Sequence, residues 1–338
     1  MNTVLRNINM TSRDYIICTD AIFESVSVAI ENIPGRPQTS VFNLLGESLS
    51  HKSILKRFRE HIENVKEELR KSRVTASFPK DSPKIVAIFE SITASPGLLL
   101  PWKEMVRICR EENVWSVVDA AHSLGQEVSI NLQEVNPDFW MTNCSKWYYA
   151  QRGCAVLYVP FRNQDMIKTQ LVPGTRYPVR GPSPPSFIHE FHWSGMIDPI
   201  PILSIEFSKA FRERLGGEKK INDYCHTLAI AGGKLVANML GTMVMDQTEK
   251  GELTANMTNI ELPLPSSIAP SKDVFFLYQD RMIDVHKVFA PAFYYGGRWW
   301  ARASAQIYND LSDFERLGSA LSETCQKIKD QASQNIDQ

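Results

Sequence analysis

The chain has 338 residues, 43% of them hydrophobic, with 37 Lys+Arg against 38 Asp+Glu and a formal net charge of -1. That length suits one large domain plus a smaller one. The balanced charge supplies no basic field for nucleic acid or an anionic membrane, and no apolar run approaches the ~18 residues that span a bilayer. The opening Met-Asn-Thr-Val-Leu-Arg stretch has no apolar core, so a signal peptide is not expected and a cytoplasmic location is. Six scattered cysteines (Cys18, Cys109, Cys144, Cys154, Cys225, Cys325) form no C-x-x-C pair. They read as reduced core thiols, with neither a disulfide framework nor a metal site.

From Tyr15 to Pro160 strands and helices alternate. Tyr15–Cys18 is a short apolar run, and Phe23–Ile33 has helical spacing that stops before Pro34-Gly35. Ser50–Lys71 is charged and amphipathic, a long surface helix. Lys84–Phe89 is a buried strand, and Pro101 opens a helix through Glu112 because a first turn does not need its missing N–H. Trp115–Asp119 is another continuous apolar strand. Strands apolar on both faces and separated by helices indicate a mostly parallel sheet covered on both sides, with ligands at the carboxyl ends of the strands. Val172–Pro185 breaks the pattern as a loop, a lid, an arm or a plain surface connection. Pro199–Arg214 is helical and ends at Gly216-Gly217, and Glu218–Leu240 is a second long helix. Beyond Gly241, strands at Thr242–Met245, Thr258–Leu264, Phe289–Tyr295 and Trp299–Tyr308 mix with helices near Ser271–Arg281 and Asp310–Lys329. The expected division is a large domain over 1–215 and a small α+β domain over 216–338.

Ser116–Pro160 carries the chemistry, as strand, loop, strand, loop, strand. Asp119 ends the first strand, His122 follows three residues later, and Lys146 lies just past the second strand among Cys144, Trp147, Tyr148 and Tyr149. This layout suits pyridoxal phosphate: a carboxylate for the ring nitrogen, and a desolvated amine that reaches the aldehyde to form a Schiff base. The plain alternatives are a helix-capping Asp, a satisfied structural His and a solvated Lys. The three together are far more specific than any one. Asn143 and Ser145 flank the lysine and offer small polar donors to a phosphate, or simply to their own loop. Phe23 can stack on a flat ring, though such a Phe is more often core. Arg302 can fork a substrate carboxylate; Arg298 is its rival, and a surface ion pair is the alternative for either.

These motifs resemble the class V aminotransferase family of fold-type I pyridoxal-phosphate enzymes. Within it they look like the branch of isopenicillin-N-epimerase-like, hercynylcysteine-sulfoxide-lyase-like and loline-pathway-cyclase-like proteins. The carriers are V-D-A-A-H-S-L-G, N-C-S-K-W-Y-Y-A-Q-R-G-C-A-V-L-Y-V-P, F-H-W-S-G-M-I-D-P and R-A-S-A-Q-I-Y-N. The resemblance implies a seven-stranded-type, mostly parallel sheet between helices and a small C-terminal domain. It puts Asp119 at the pyridine nitrogen, His122 near the ring hydroxyl, Lys146 as Schiff-base residue, Phe23 as ring-stacking aromatic and Arg302 on the substrate carboxylate. It also implies a homodimer whose partner subunit faces the phosphate. The departures are Ser145 for a usual His, Gln151 for Pro, Ala120 for Gly, Met196 for Thr and Ala94 for Ser. The chain also starts partway into the family's large domain, after its Ala-Thr-Thr phosphate loop.

Two functions compete. One is a pyridoxal-phosphate enzyme acting on an amino acid or an amino-acid-derived intermediate through an α-carbanion. The resemblance to non-transaminating members favours lyase, epimerase or cyclase chemistry, with a role in secondary metabolism, over plain transamination. The other is a non-catalytic degenerate homologue, or a truncated chain acting as a dimerisation partner, which the altered phosphate elements motivate. A nucleotide-binding α/β protein has little support, since neither G-x-G-x-x-G nor G-x-x-x-x-G-K-[ST] occurs.

Overall fold

The structure, a computed structural model, describes residues 1–46, 48–74, 83–168, 187–191, 195 and 197–336. Helix α1 (Asn2–Asn7) leads through β1 (Tyr15–Thr19), α2 (Glu24–Glu31), β2 (Gln38–Phe42) and α3 (His51–Val74) to β3 (Ile85–Glu90). Helix α4 (Trp102–Glu111), β4 (Trp115–Asp119), the short α5 (Leu132–Val135), β5 (Phe139–Asn143) and β6 (Ala155–Tyr158) follow. These strands form one sheet in the order β2-β1-β3-β4-β5-β6, parallel except for β6. The described residues thus supply six strands where a seven-stranded type is expected. Between β2 and β3 the described chain gives a 24-residue helix and no further strand. Only the lysine-bearing loop joins β5 to β6; it is too short for a crossover, so β6 runs antiparallel.

Alternation along the strands builds two cores. Ile17, Ala87, Phe89 and Val118 face one side, where Ile54, Phe58 and Ile62 of α3 and Met105 and Val106 of α4 cover them. Ile16, Cys18, Val86, Ile88 and Val117 face the other, packing with Val4 and Leu5 of α1 and Val26 and Ile30 of α2. Strands covered on both faces have no polar side, which is why their sequences read as continuous apolar runs. The surface helix expected at Ser50–Lys71 is therefore buried along one stripe.

The chain continues through α6 (Phe161–Gln164), α7 (Phe187–Glu190), α8 (Ile200–Arg214) and α9 (Gly217–Leu240). A second, antiparallel sheet has the order β7-β9-β8, from β7 (Met257–Glu261), β8 (Ala292–Tyr295) and β9 (Arg298–Ser304). Helix α10 (Lys272–Asp280), extended by a π-helical turn at Arg281–Val285, and α11 (Leu311–Ile336) pack with α9 on this sheet through Val236, Trp299, Ala301 and Leu321.

Three local expectations change. Thr242–Met245 forms only an isolated bridge, Val244 to Ile260, on the edge of β7 away from β9, where Met245 N–H reaches Asn259 O and Glu261 N–H reaches Met243 O. The strand expected through Tyr308 ends at Ser304, where Ala305 donates to Asn256 O and a turn brings Asn309 N–H to Gln306 O. Pro101 caps α4 rather than sitting in its first turn. The 172–185 loop and Met196 lie outside the described residues. All six cysteines are buried as free thiols. Among the described residues no helix is long and apolar enough to cross a membrane.

Candidate active site

The parallel strands end at one edge of the sheet, and the ionisable groups gather there. Register places Glu90, the last residue of β3, beside Asp119, the last of β4. One Asp119 oxygen accepts the Ala121 N–H at 3.0 Å; the other has no hydrogen bond among the described residues. Burial pushes this carboxyl up, while the Ala121 amide, the Lys146 charge and the Met1 α-amine pull it down.

His122 and Lys146 meet in front of it. His122 is buried, with Nε2 3.2 Å from Lys146 Nζ and Nδ1 3.1 Å from the Trp147 indole nitrogen. Burial, reinforced by the Lys146 and Arg302 charges, depresses the imidazole to about 3. Lys146 is reachable from solvent. Desolvation of its amine lowers its pKa, against the pull of Asp119 and with the repulsion of Arg302. The Phe23 ring centroid lies 5.7 Å from the same Nζ. Asp119, His122, Lys146 and Phe23, read from three separate segments, are thus brought together.

Arg302 of β9 completes the cluster from the second sheet. One guanidinium nitrogen donates to Ala94 O, and its Nε is buried without a partner among the described residues. An orphaned guanidinium N–H calls for an acceptor, which a substrate carboxylate would supply. Arg298, the rival, is occupied by an exposed ion pair with Glu261 at 3.1 Å.

Asn143 turns inward to its own loop. Its Oδ1 accepts from the N–H of Ser145 (3.2 Å) and of Lys146 (3.1 Å), and its amide donates to Ala121 O at 3.1 Å. Ser145 Oγ also bonds Asn143 Oδ1, at 3.4 Å. This pair stitches the lysine loop to the His122 loop; neither residue stands as a free donor.

Three residues of the site are missing from the sequence reading or only named there as neighbours. Glu90 is buried, with one oxygen accepting the Phe23 N–H at 2.7 Å and the other the Thr19 hydroxyl at 3.3 Å. Burial, aided by the Asp119 charge, pushes it up to about 7. Its signal was an acid ending an apolar strand. Trp147 packs at 5% exposure against Ile92, Ala255 and Met257. Arg212, on α8, is 1% exposed and makes a two-pronged ion pair with Glu218 at 2.5 and 2.7 Å. It donates to Trp147 O (2.8 Å) and Gly125 O (3.1 Å), and its guanidinium lies 5.2 and 4.9 Å from the Tyr148 and Tyr149 rings. Gly125 has φ +94°, and a Cβ there would come within 2.4 Å of Trp147 O, so only glycine lets the two loops close. No local pattern marks an arginine near a helix end as buried.

The fold and this cluster define a fold-type I α/β architecture with a lysine site at the sheet's carboxyl edge. The Aminotransferase class-V family model matches residues 60–177. The L-cysteine desulfhydrase-like protein lolT1 of Epichloe uncinata is 32% identical over 281 residues, which cover 72% of this chain and 62% of that protein. Hercynylcysteine sulfoxide lyase of Schizosaccharomyces pombe is 28% identical, covering 77% of this chain and 64% of the lyase. The chain therefore spans under two thirds of the length of these curated relatives. The apo cysteine desulfurase of Thermococcus onnurineus NA1 superposes with a TM-score of 0.70 at 17% identity, over 96% of this chain and 76% of that one. The chain is thus similar to class V aminotransferase proteins, and that similarity brings pyridoxal 5′-phosphate as cofactor. The donor set fits it: a half-buried carboxylate with one oxygen unpartnered among the described residues, an amine of lowered pKa, an imidazole and an aromatic ring.

Glu90 makes the site's stability pH-dependent. A carboxyl raised from its ordinary 4.5 to about 7 on folding binds its proton more tightly when folded. Its contribution is full below pH ~4.5 and is lost as pH rises through ~7. Glu90→Gln keeps an acceptor for the Phe23 N–H, donates to the Thr19 hydroxyl oxygen in place of accepting from it, and removes the titration. The melting temperature of wild type relative to Glu90→Gln is expected to fall between pH 5 and pH 8; a constant difference would show that Glu90 does not titrate there.

Proposed function

We propose that this protein is a pyridoxal-phosphate-dependent enzyme of lyase or epimerase type, acting on an amino acid or an amino-acid-derived thioether or sulfoxide. The observation that carries the reading is the Lys146 amine, 3.2 Å from His122 Nε2, facing the Phe23 ring, with Asp119 and Arg302 as its nearby charges. When bound, the cofactor supplies an aldehyde that condenses with amines and a ring that withdraws electrons from the substrate α-carbon. Asp119 would hold a proton at the ring nitrogen through its free oxygen. Phe23 and His122 would flank the ring, and Lys146 Nζ would anchor the cofactor and then carry the α-proton. The Arg302 Nε would take the substrate carboxylate. Carbon–sulfur chemistry is favoured because relatives bear the names L-cysteine desulfhydrase-like protein and hercynylcysteine sulfoxide lyase.

Removal of the α-proton is common to elimination and epimerisation, so its exchange reports on both. With cofactor added, Cα–H exchange into D2O is expected for at least one S-substituted cysteine, and Lys146→Ala should slow it by ~10³-fold or more, within or above the ~10²–10⁴ range of general acid–base catalysis. Equal exchange by wild type and Lys146→Ala would remove the reading. The alternative, a non-catalytic homologue, draws support from Asn143 and Ser145, whose polar atoms are committed to the loop. It predicts no exchange from any substrate.

We further propose a homodimer, and a small domain over 216–338. Ile200, Leu203 and Phe207 lie on one face of α8 and are exposed, Phe207 by 77%. Sedimentation equilibrium should give twice the 38.4 kDa chain mass; a monomer across the concentration range would contradict the pairing.

A further inference from the structure

His122 is held between two nitrogens. The Trp147 indole nitrogen lies 3.1 Å from Nδ1, and Lys146 Nζ lies 3.2 Å from Nε2. An indole N–H donates and cannot accept, so Nδ1 is the acceptor and bears no proton. A neutral imidazole carries a single N–H, which therefore sits on Nε2. That N–H points at Lys146 Nζ. The contact is a hydrogen bond only when the amine offers a lone pair; an ammonium would set N–H against N–H. Imidazolium is disfavoured in the same way, because a proton on Nδ1 would face the indole N–H.

We propose that Trp147 is a positioning residue that keeps Lys146 a neutral amine by fixing the tautomer of His122. The proposal rests on the reading of Lys146 as the cofactor-binding residue and adds what prepares it. The indole cannot turn away: it is packed against Ile92, Ala255 and Met257, and Arg212 holds its own carbonyl at 2.8 Å. The charges facing the Lys146 amine are Asp119 from β4, which favours the ammonium, and Arg302 from β9, which opposes it. The Phe23 ring of the α2 cap also favours a cation. The Met1 α-amine acts one step removed, on Asp119, and Asp119 in turn acts on Glu90. None of these selects the tautomer; the indole N–H does. The neutral amine is the form that attacks an aldehyde, so Trp147 would speed cofactor capture.

The test uses the full chain without cofactor. Acetylation of Lys146 by acetic anhydride is followed against pH, peptide by peptide, by mass spectrometry. In Trp147→Phe a ring remains but the N–H is gone, so His122 can carry its proton on Nδ1 and accept from a Lys146 ammonium. The apparent pKa of Lys146 should rise by about one unit, slowing its labelling about tenfold at pH values below both the wild-type and the variant midpoints. Lys219, an exposed residue of α9, should not change. Replacing Trp147 with 3-benzothienylalanine exchanges the N–H for sulfur at nearly constant shape, and serves if the Phe variant fails to fold. It should give the same shift. In a His122→Ala background the Trp147→Phe change should leave Lys146 unaltered. An unchanged Lys146 profile in the folded benzothienylalanine protein, or an equal shift with and without His122, would overturn the proposal. The readout needs no cofactor. A tenfold slowing without cofactor capture by wild type would keep this inference and remove the functional one.

Discussion

Desolvation of charge at the carboxyl edge of the parallel sheet is the constraint on which the site depends. It is the largest influence on Glu90, Asp119, His122, Lys146 and Arg302 alike. A buried ionisable group either neutralises or finds a partner. Here the acids rise, the bases fall, and fixed hydrogen bonds take over the work of water. Glu90 takes the Phe23 amide, Asn143 takes the lysine-loop amides, and Ala94 takes Arg302. The result is an amine whose pKa is lowered by burial and by the Arg302 charge, against the pull of Asp119. A solvated lysine at the same place would be a weak nucleophile at neutral pH.

That edge is shaped from outside the sheet. Arg212 and Glu218 come from two consecutive helices, yet the guanidinium reaches the carbonyls of both Trp147 and Gly125. A buried charge in this position would be costly if any partner were lost, so the two loops and the α8–α9 junction are tied to one geometry. The second sheet adds to the same cluster through Arg302, and the Tyr149 hydroxyl reaches Gln306 just beyond β9 at 2.9 Å. Tyr149 itself has φ +69°, a strained conformation for a bulky residue, held where the loop leaves the lysine. Movement of the second sheet would therefore be felt at Lys146.

Much of this was legible because it is local. β1, β3 and β4 announce themselves as apolar on both faces, and Asp119, His122 and Lys146 lie at or just past strand ends at fixed spacing. Phe23 reads from a helix start. What could not be read is lateral. Glu90 becomes a partner of Asp119 only through the β3–β4 register, and Arg212 becomes buried only because two loops close over it. The choice between Arg302 and Arg298 likewise needed the strand: four residues apart on β9, one reaches Ala94 and the other pairs with Glu261 at the surface. Asn143 and Ser145 show the converse. Their composition suits a phosphate, but backbone groups nearer to hand take their hydrogen bonds first. The Thr242–Met245 run has strand composition, yet it meets the open edge of β7 through a single bridge.

Lys146, among the lysines of this chain, is the residue we propose to take the cofactor. The direct measurement is to add pyridoxal 5′-phosphate, reduce with borohydride and map the pyridoxyl group by peptide mass spectrometry. Modification concentrated on Lys146, and abolished at that peptide in Lys146→Ala, is the result this structure predicts. Modification spread over exposed lysines with Lys146 no more reactive than the rest would contradict it.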